Sequence, residues 1–115
     1  MTTDGKMAHG KEEWLEAARE SGKALRAQAA VAREQATLGR RRASCLRALA
    51  EARRRESEVA GEASAGMLRK YSELAENEAR ISEQEANTFE SEAARCEAEA
   101  TAAEQRPVGS IGVGD

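Results

Sequence analysis

The chain has few of the residues that build a globular core. Only fourteen of its 115 residues are leucine, isoleucine, valine or phenylalanine, and aromatic residues make up 3% of the sequence. This share of bulky apolar residues lies well below the roughly 20% under which chains are usually disordered. A large packed interior is therefore excluded, and any ordered structure must depend on how the small residues are arranged.

The residues that catalysis and metal binding require are also scarce. The chain has one histidine, His9, and two cysteines, Cys45 and Cys96, which are far apart in the sequence. A zinc site needs four such ligands in close groups, and no glycine-rich phosphate loop is followed by a helix. The sequence therefore predicts a protein that is not an enzyme and that holds no metal or cofactor.

Long apolar stretches are missing as well. No run approaches the roughly 20 apolar residues of a membrane-spanning helix, and residues 1–10 contain no apolar core of a secretory signal. We therefore expect no membrane span, and a location in the cytoplasm or another soluble intracellular compartment.

Alanine, glutamate and basic residues dominate the composition. The chain has 25 alanines, 19 glutamates and 18 lysines and arginines, with a single proline at position 107. This composition is typical of long helices and coiled coils. It predicts an all-α protein with a helix over 11–60, a turn at 61–66 and a helix over 66–106. Residues 1–10 and 107–115 are predicted to be flexible tails.

Apolar and small residues recur at alternating steps of three and four along both predicted helices. This spacing is the signature of a coiled-coil seam, the stripe along which one helix packs on another. The predicted seam includes Leu15, Leu25, Ala32, Gly39, Leu46, Leu68, Ala75, Phe89 and Cys96. Because glycine lacks a side chain, Gly39 is interpreted as a point of close helix approach.

Two observations favour a hairpin over one continuous helix. The seam shifts by one residue near Gly61 and Gly66, which rotates it by about 100°. Residues 11–60 carry twelve basic and eight acidic residues, a net of +4, whereas residues 62–106 carry five basic and eleven acidic ones, a net of −6. Opposite charge favours antiparallel pairing of the two halves. A continuous helix with a skip in its seam is the alternative.

A second apolar row runs about 100° away from the seam. Such a row extends the apolar surface beyond what a two-helix seam needs. Its large members, together with the only tryptophan, form the candidate partner face: Trp14, Val31, Leu38, Leu74 and Ile81. We expect this row to be covered by a second copy of the chain or by another protein. Trp14 packs either on a partner or on the second helix near Ala103.

Two arginine triplets are the other feature that suggests binding. They are Arg40, Arg41 and Arg42, and Arg53, Arg54 and Arg55. Such clusters bind phosphate backbones or acidic protein surfaces such as those of cytoskeletal filaments. The net charge of −3 and the lack of aromatic residues argue against nucleic acid.

Two hypotheses about function follow from these patterns. The favoured one is a coiled-coil structural or adaptor subunit of a larger protein assembly. The alternative is an arginine-rich helical module for nucleic acid or an acidic protein surface.

In a hairpin the two cysteines are too far out of register to form a disulfide, so both are predicted to be buried as small apolar residues.

Overall fold

The protein consists of two long helices joined by a short turn. The computed structural model describes the backbone of residues 2–105 and the side chains of residues 10–105. Helix α1 spans Thr2–Val59 and helix α2 spans Glu62–Gln105. No strand occurs among the described residues, and α2 packs back along α1. The predicted all-α helical hairpin is confirmed, and the continuous-helix alternative is wrong.

The helix bounds differ from those predicted. Helix α1 begins at Thr2, well before the predicted start at position 11, so the segment over 2–10 is helical and not a separate tail. It contains no proline, and each of its two glycines costs a helix only about 1 kcal/mol, so nothing in it ends the helix. The predicted tail over 107–115 and the predicted last helical residue, Arg106, lie outside the described residues.

The turn is also shorter than the predicted 61–66. Only Ala60 and Gly61 are non-helical, and α2 already begins at Glu62. The backbone N–H of Ala65 donates to the carbonyl of Gly61 at 2.8 Å, which closes the first turn of α2. Gly66 is thus a helical residue, because its alanine, methionine and leucine neighbours are strong helix formers that outweigh one glycine.

The contacts between the helices group into two compact units. The terminal unit pairs residues 2–31 with 92–105, and the turn unit contains residues 32–91. In each unit the buried core consists almost entirely of small side chains. The buried core residues are Ala29, Ala93, Cys96 and Ala100 in the terminal unit, and Ala32, Ala36, Ala43, Ala50, Ala65, Ala75, Ala79 and Ala86 in the turn unit.

No large side chain among the described residues is fully buried. Each buried alanine removes little apolar surface from water, since one methyl or methylene group contributes about 0.8 kcal/mol. The hairpin therefore owes its order to helix propensity, to length and to contacts outside the seam.

Candidate protein-binding face

The predicted seam residues are all buried or half-buried. Ala32, Ala75 and Cys96 are buried, and the larger side chains are half-buried along the edges of the seam. The half-buried members are Leu15, Leu25, Gly39, Leu46, Leu68 and Phe89. The buried part of the seam thus consists of small side chains, and its bulkier residues keep part of their surface exposed.

The two helices approach each other closely at Gly39. A Cβ atom built on Gly39 would lie 3.1 Å from the Cβ of Ala86 and 3.1 Å from the carbonyl oxygen of Ser82. Both distances are shorter than ordinary van der Waals contacts, and the Ser82 oxygen belongs to the backbone. A side chain at position 39 would therefore push the helices apart.

A hydrogen bond across the seam fixes the register near the turn. The hydroxyl of Ser72 on α2 donates to the carbonyl oxygen of Ala50 on α1 at 2.8 Å. Together with the contact of Gly39 on Ala86, it defines which residues of the turn unit face each other. None of the buried side-chain polar atoms in the described part of the chain lacks a hydrogen-bond partner.

One edge of the seam in the turn unit carries ion pairs between the helices. Arg47 donates two hydrogen bonds to the carboxylate of Glu83, at 2.8 and 2.7 Å. Arg40 lies 3.1 Å from the carboxylate of Glu90. Each of these four residues directly follows a seam residue, so all four lie on the same side. We call Arg40, Arg47, Glu83 and Glu90 the ion-paired flank.

The arginines of the ion-paired flank lower the pKa values of its two glutamates. The hydrogen bond from Arg47 holds the pKa of Glu83 below the ordinary value for glutamate, and Arg40 does the same for Glu90. The bond to Glu83 in turn raises the pKa of Arg47. The terminal unit has an equivalent pair, in which Arg26 lies 2.6 Å from Glu104.

The opposite edge of the seam in the turn unit is apolar. Leu49 and Tyr71 directly precede the seam residues Ala50 and Ser72, and both are exposed. Three further aliphatic side chains on this side have exposed fractions above one half: Leu38 at 55%, Leu74 at 56% and Ile81 at 54%. We call Leu38, Leu49, Tyr71, Leu74 and Ile81 the apolar face.

The spacing of these residues places them on one side of the hairpin. Leu38 and Leu49 are eleven residues apart, which is close to three helical turns. Leu74 and Ile81 are seven apart, close to two turns. Leu49, Tyr71 and Leu74 line a common open groove of about 340 Å³.

The sequence alone did not identify Leu49 as a member of the apolar face. The second row was followed at steps of seven from Val31 and Leu38, and Leu49 is not on that row. It lies directly before the seam residue Ala50, four places after Cys45 of that row. Testing the residues that directly precede the seam would have found it.

Two predicted members of the partner face lie in the terminal unit. Val31 is exposed to the same extent as Leu38. Trp14 is half-buried, and it lines one groove together with Ala103. That placement puts Trp14 beside the end of α2.

Most of the arginines in the two triplets bind carboxylates of their own chain. Arg53 pairs with Glu56 at 3.1 Å, Arg55 contacts Glu51 at 3.3 Å, and Arg54 also contacts Glu51. Arg40 belongs to the ion-paired flank. In contrast, no hydrogen bond or ion pair within residues 10–105 involves Arg41 or Arg42. The six arginines thus do not form one continuous free basic surface.

The two cysteines differ in their surroundings. Both are free thiols; Cys96 is buried, with 3% of its surface exposed, whereas Cys45 is exposed. The prediction that Cys45 is buried is wrong, because it lies on the row of Leu38, outside the seam. Nowhere in the described part of the chain do three potential ligand side chains gather in a way that could hold a metal ion.

Among the described residues, neither helix combines the length and the apolar character needed to cross a membrane. Comparison of the chain with protein-family models, curated proteins and solved structures finds no match.

Proposed function

We propose that the protein is a non-enzymatic structural or adaptor subunit that binds another helical protein surface through the apolar face. One observation carries the proposal: the two edges of the seam differ. One edge is filled by ion pairs between α1 and α2, whereas the other leaves five large apolar side chains about half exposed. A hairpin that functioned alone would gain nothing from holding these five apolar side chains outside its core.

The exposed side chains supply a useful binding energy. Full burial of a leucine-sized side chain contributes about 1.5–3 kcal/mol, so covering the exposed half contributes on the order of 1 kcal/mol per residue. Five such residues, joined by the groove beside Leu49 and Leu74, offset part of the cost of association. This favours a specific interface of modest affinity, completed by contacts beyond the face.

The alternative of an arginine-rich binding module has less support. Four of its six arginines already donate hydrogen bonds to carboxylates or lie in ion pairs within the chain. A phosphate backbone would have to compete with those carboxylates, and it would meet only Arg41 and Arg42 without competition.

Site-specific photo-crosslinking tests the proposed function. A photoreactive amino acid placed at Leu74 lies on the apolar face, and one placed at Gln84 lies on an exposed outer surface of the same helix. We expect irradiation of each protein, pure and in native extract, to give discrete protein adducts from position 74 and none from position 84. Adducts from both positions, or from neither, would contradict a binding role for the face.

A further inference from the structure

We infer that the apolar face binds a second copy of this chain, giving a twofold-symmetric four-helix bundle in which α1 of each copy packs on α2 of the other. The inference rests on the proposed function and names the partner. It is carried by charges at the apolar edge of the seam that form no ion pair within one copy and that complement each other across two copies.

The apolar edge of the seam also carries three charged residues, Arg42, Glu78 and Glu85. Each directly precedes a seam residue, as Leu49 and Tyr71 do, and all three are exposed. None of them takes part in a hydrogen bond or an ion pair within residues 10–105. The free positive charge is on α1 and the free negative charges are on α2, so this edge differs from the ion-paired flank, where such charges are already matched.

The register places Arg42 between the levels of Glu78 and Glu85. Gly39 faces Ser82 and Ala86, and Ala50 faces Ser72. Arg42, three residues after Gly39, therefore lies level with the stretch between Glu78 and Glu85. By the same register Leu49 lies level with Leu74, and Ile81 lies level with Arg42, so charged and apolar side chains share the face.

A twofold axis parallel to the helices preserves these levels. It places α1 of the second copy over α2 of the first, without shifting either along the helix direction. Arg42 of each copy then lies between Glu78 and Glu85 of the other, and Leu49 of each copy meets Leu74 of the other. The contact is made twice, because a twofold interface uses the same surface on both copies. Stacking α1 on α1 would instead bring the arginines together.

The composition of the core favours the same conclusion. The hairpin buries alanine, serine and cysteine between its own helices, with no large side chain fully buried. A four-helix bundle places the apolar face at its centre, which gives the assembly the bulky core that one copy lacks.

The first part of the test is the mass of the full-length protein over a concentration series. We expect twice the chain mass of 12.4 kDa at high concentration. The double variant Leu74→Asp with Ile81→Asp is expected to remain monomeric. The matched control, Asn77→Asp with Gln84→Asp, adds the same charges at the same spacing on an outer surface of α2 and is expected to dimerise as the parent does. Circular dichroism verifies that each variant is helical.

The second part is a charge exchange between two variants. Arg42→Glu alone, and Glu78→Arg with Glu85→Arg, each place like charges across both halves of the interface, and each is expected to weaken its own dimer about tenfold. An equimolar mixture of the two is expected to form a heterodimer with the affinity of the parent, because every pair is then complementary. Pairing within one chain could not produce this rescue.

The outcomes separate this inference from the proposed function. A parent protein that stays monomeric, a dimer unaffected by Leu74→Asp with Ile81→Asp, another stoichiometry, or a mixture without rescue would each overturn the inference. The proposed function would still hold if position 74 then crosslinked to a different protein. It would fail together with the inference if position 74 crosslinked to nothing.

Discussion

At the scale of single residues, small side chains set the distance between the helices. Alanine in the seam lets two backbones approach closely, and at Gly39 even the Cβ atom is absent. The same residue type has a different role at Gly66, where a Cβ atom would meet nothing within 4 Å. Comparing these two glycines therefore distinguishes the free-energy cost of a glycine within a helix from the benefit of a missing side chain at a close contact.

We predict opposite effects for Gly39→Ala and Gly66→Ala on stability. Gly66→Ala is expected to raise the free energy of unfolding by about 0.5–1 kcal/mol, because alanine favours the helix and meets open space. Gly39→Ala is expected to lower it, since overpacking costs about 1–3 kcal/mol and outweighs the gain in helix propensity. Urea unfolding at one fixed protein concentration measures both. An equal rise in both variants would show that the helices do not approach closely at Gly39.

At the scale of elements, charge aligns α1 with α2. The arginines of the ion-paired flank follow seam residues of α1, and the glutamates follow seam residues of α2. These pairs are about half exposed and screened by water and salt, so each contributes little to stability. Their main effect is to favour one register and the antiparallel direction.

The ion-paired flank predicts a specific dependence of stability on pH. Because Arg47 lowers the pKa of Glu83 in the folded state, the pair stabilises the fold at pH values above the ordinary pKa of glutamate. That contribution is lost as the pH falls through the lowered pKa. Glu83→Gln is therefore expected to be less stable than the parent at pH 7 and equally stable well below pH 4.

Glu73→Gln provides the matched control for this experiment. Glu73 is an exposed glutamate of the same helix that makes no ion pair in the described part of the chain. Its replacement is expected to leave the difference from the parent nearly independent of pH. Urea midpoints at pH 7 and at low pH measure both variants, and a Glu83→Gln protein as stable as the parent at pH 7 would contradict the role of the pair.

The sequence predicted the elements well and their ends less well. The steps of three and four predicted two paired helices because alternation of small residues is a property of the sequence itself. The start of α2 at Glu62 was missed because Gly66 resembles a helix breaker. Whether one glycine ends a helix depends on the packing of its neighbours, which the sequence does not show.

The candidate site was predicted in part for a related reason. The row of Leu38, Leu74 and Ile81 follows from periodicity alone. In contrast, the partners of Arg40 and Arg47, and the absence of any for Arg42, depend on the rotation of α1 against α2. Charge totals predicted that the halves attract each other, but only the structure shows that one edge holds the ion pairs and the other the apolar face.

At the scale of the whole molecule, the hairpin separates two kinds of surface. The ion-paired flank joins the helices of one chain, and the apolar face is the surface that we propose to contact another. The account depends centrally on that face being open to water in the free hairpin and covered in the working state.

Hydroxyl-radical footprinting of the full-length protein, over a concentration series and in native extract, tests this claim most directly. Tyr71, the only tyrosine, and Leu74 report on the apolar face, and the half-buried Phe89 reports on the seam. We predict rapid oxidation of Tyr71 and Leu74 at the lowest concentration and strong protection of both on association, with oxidation of Phe89 unchanged. Oxidation of Tyr71 and Leu74 that stays rapid under every condition would contradict the account.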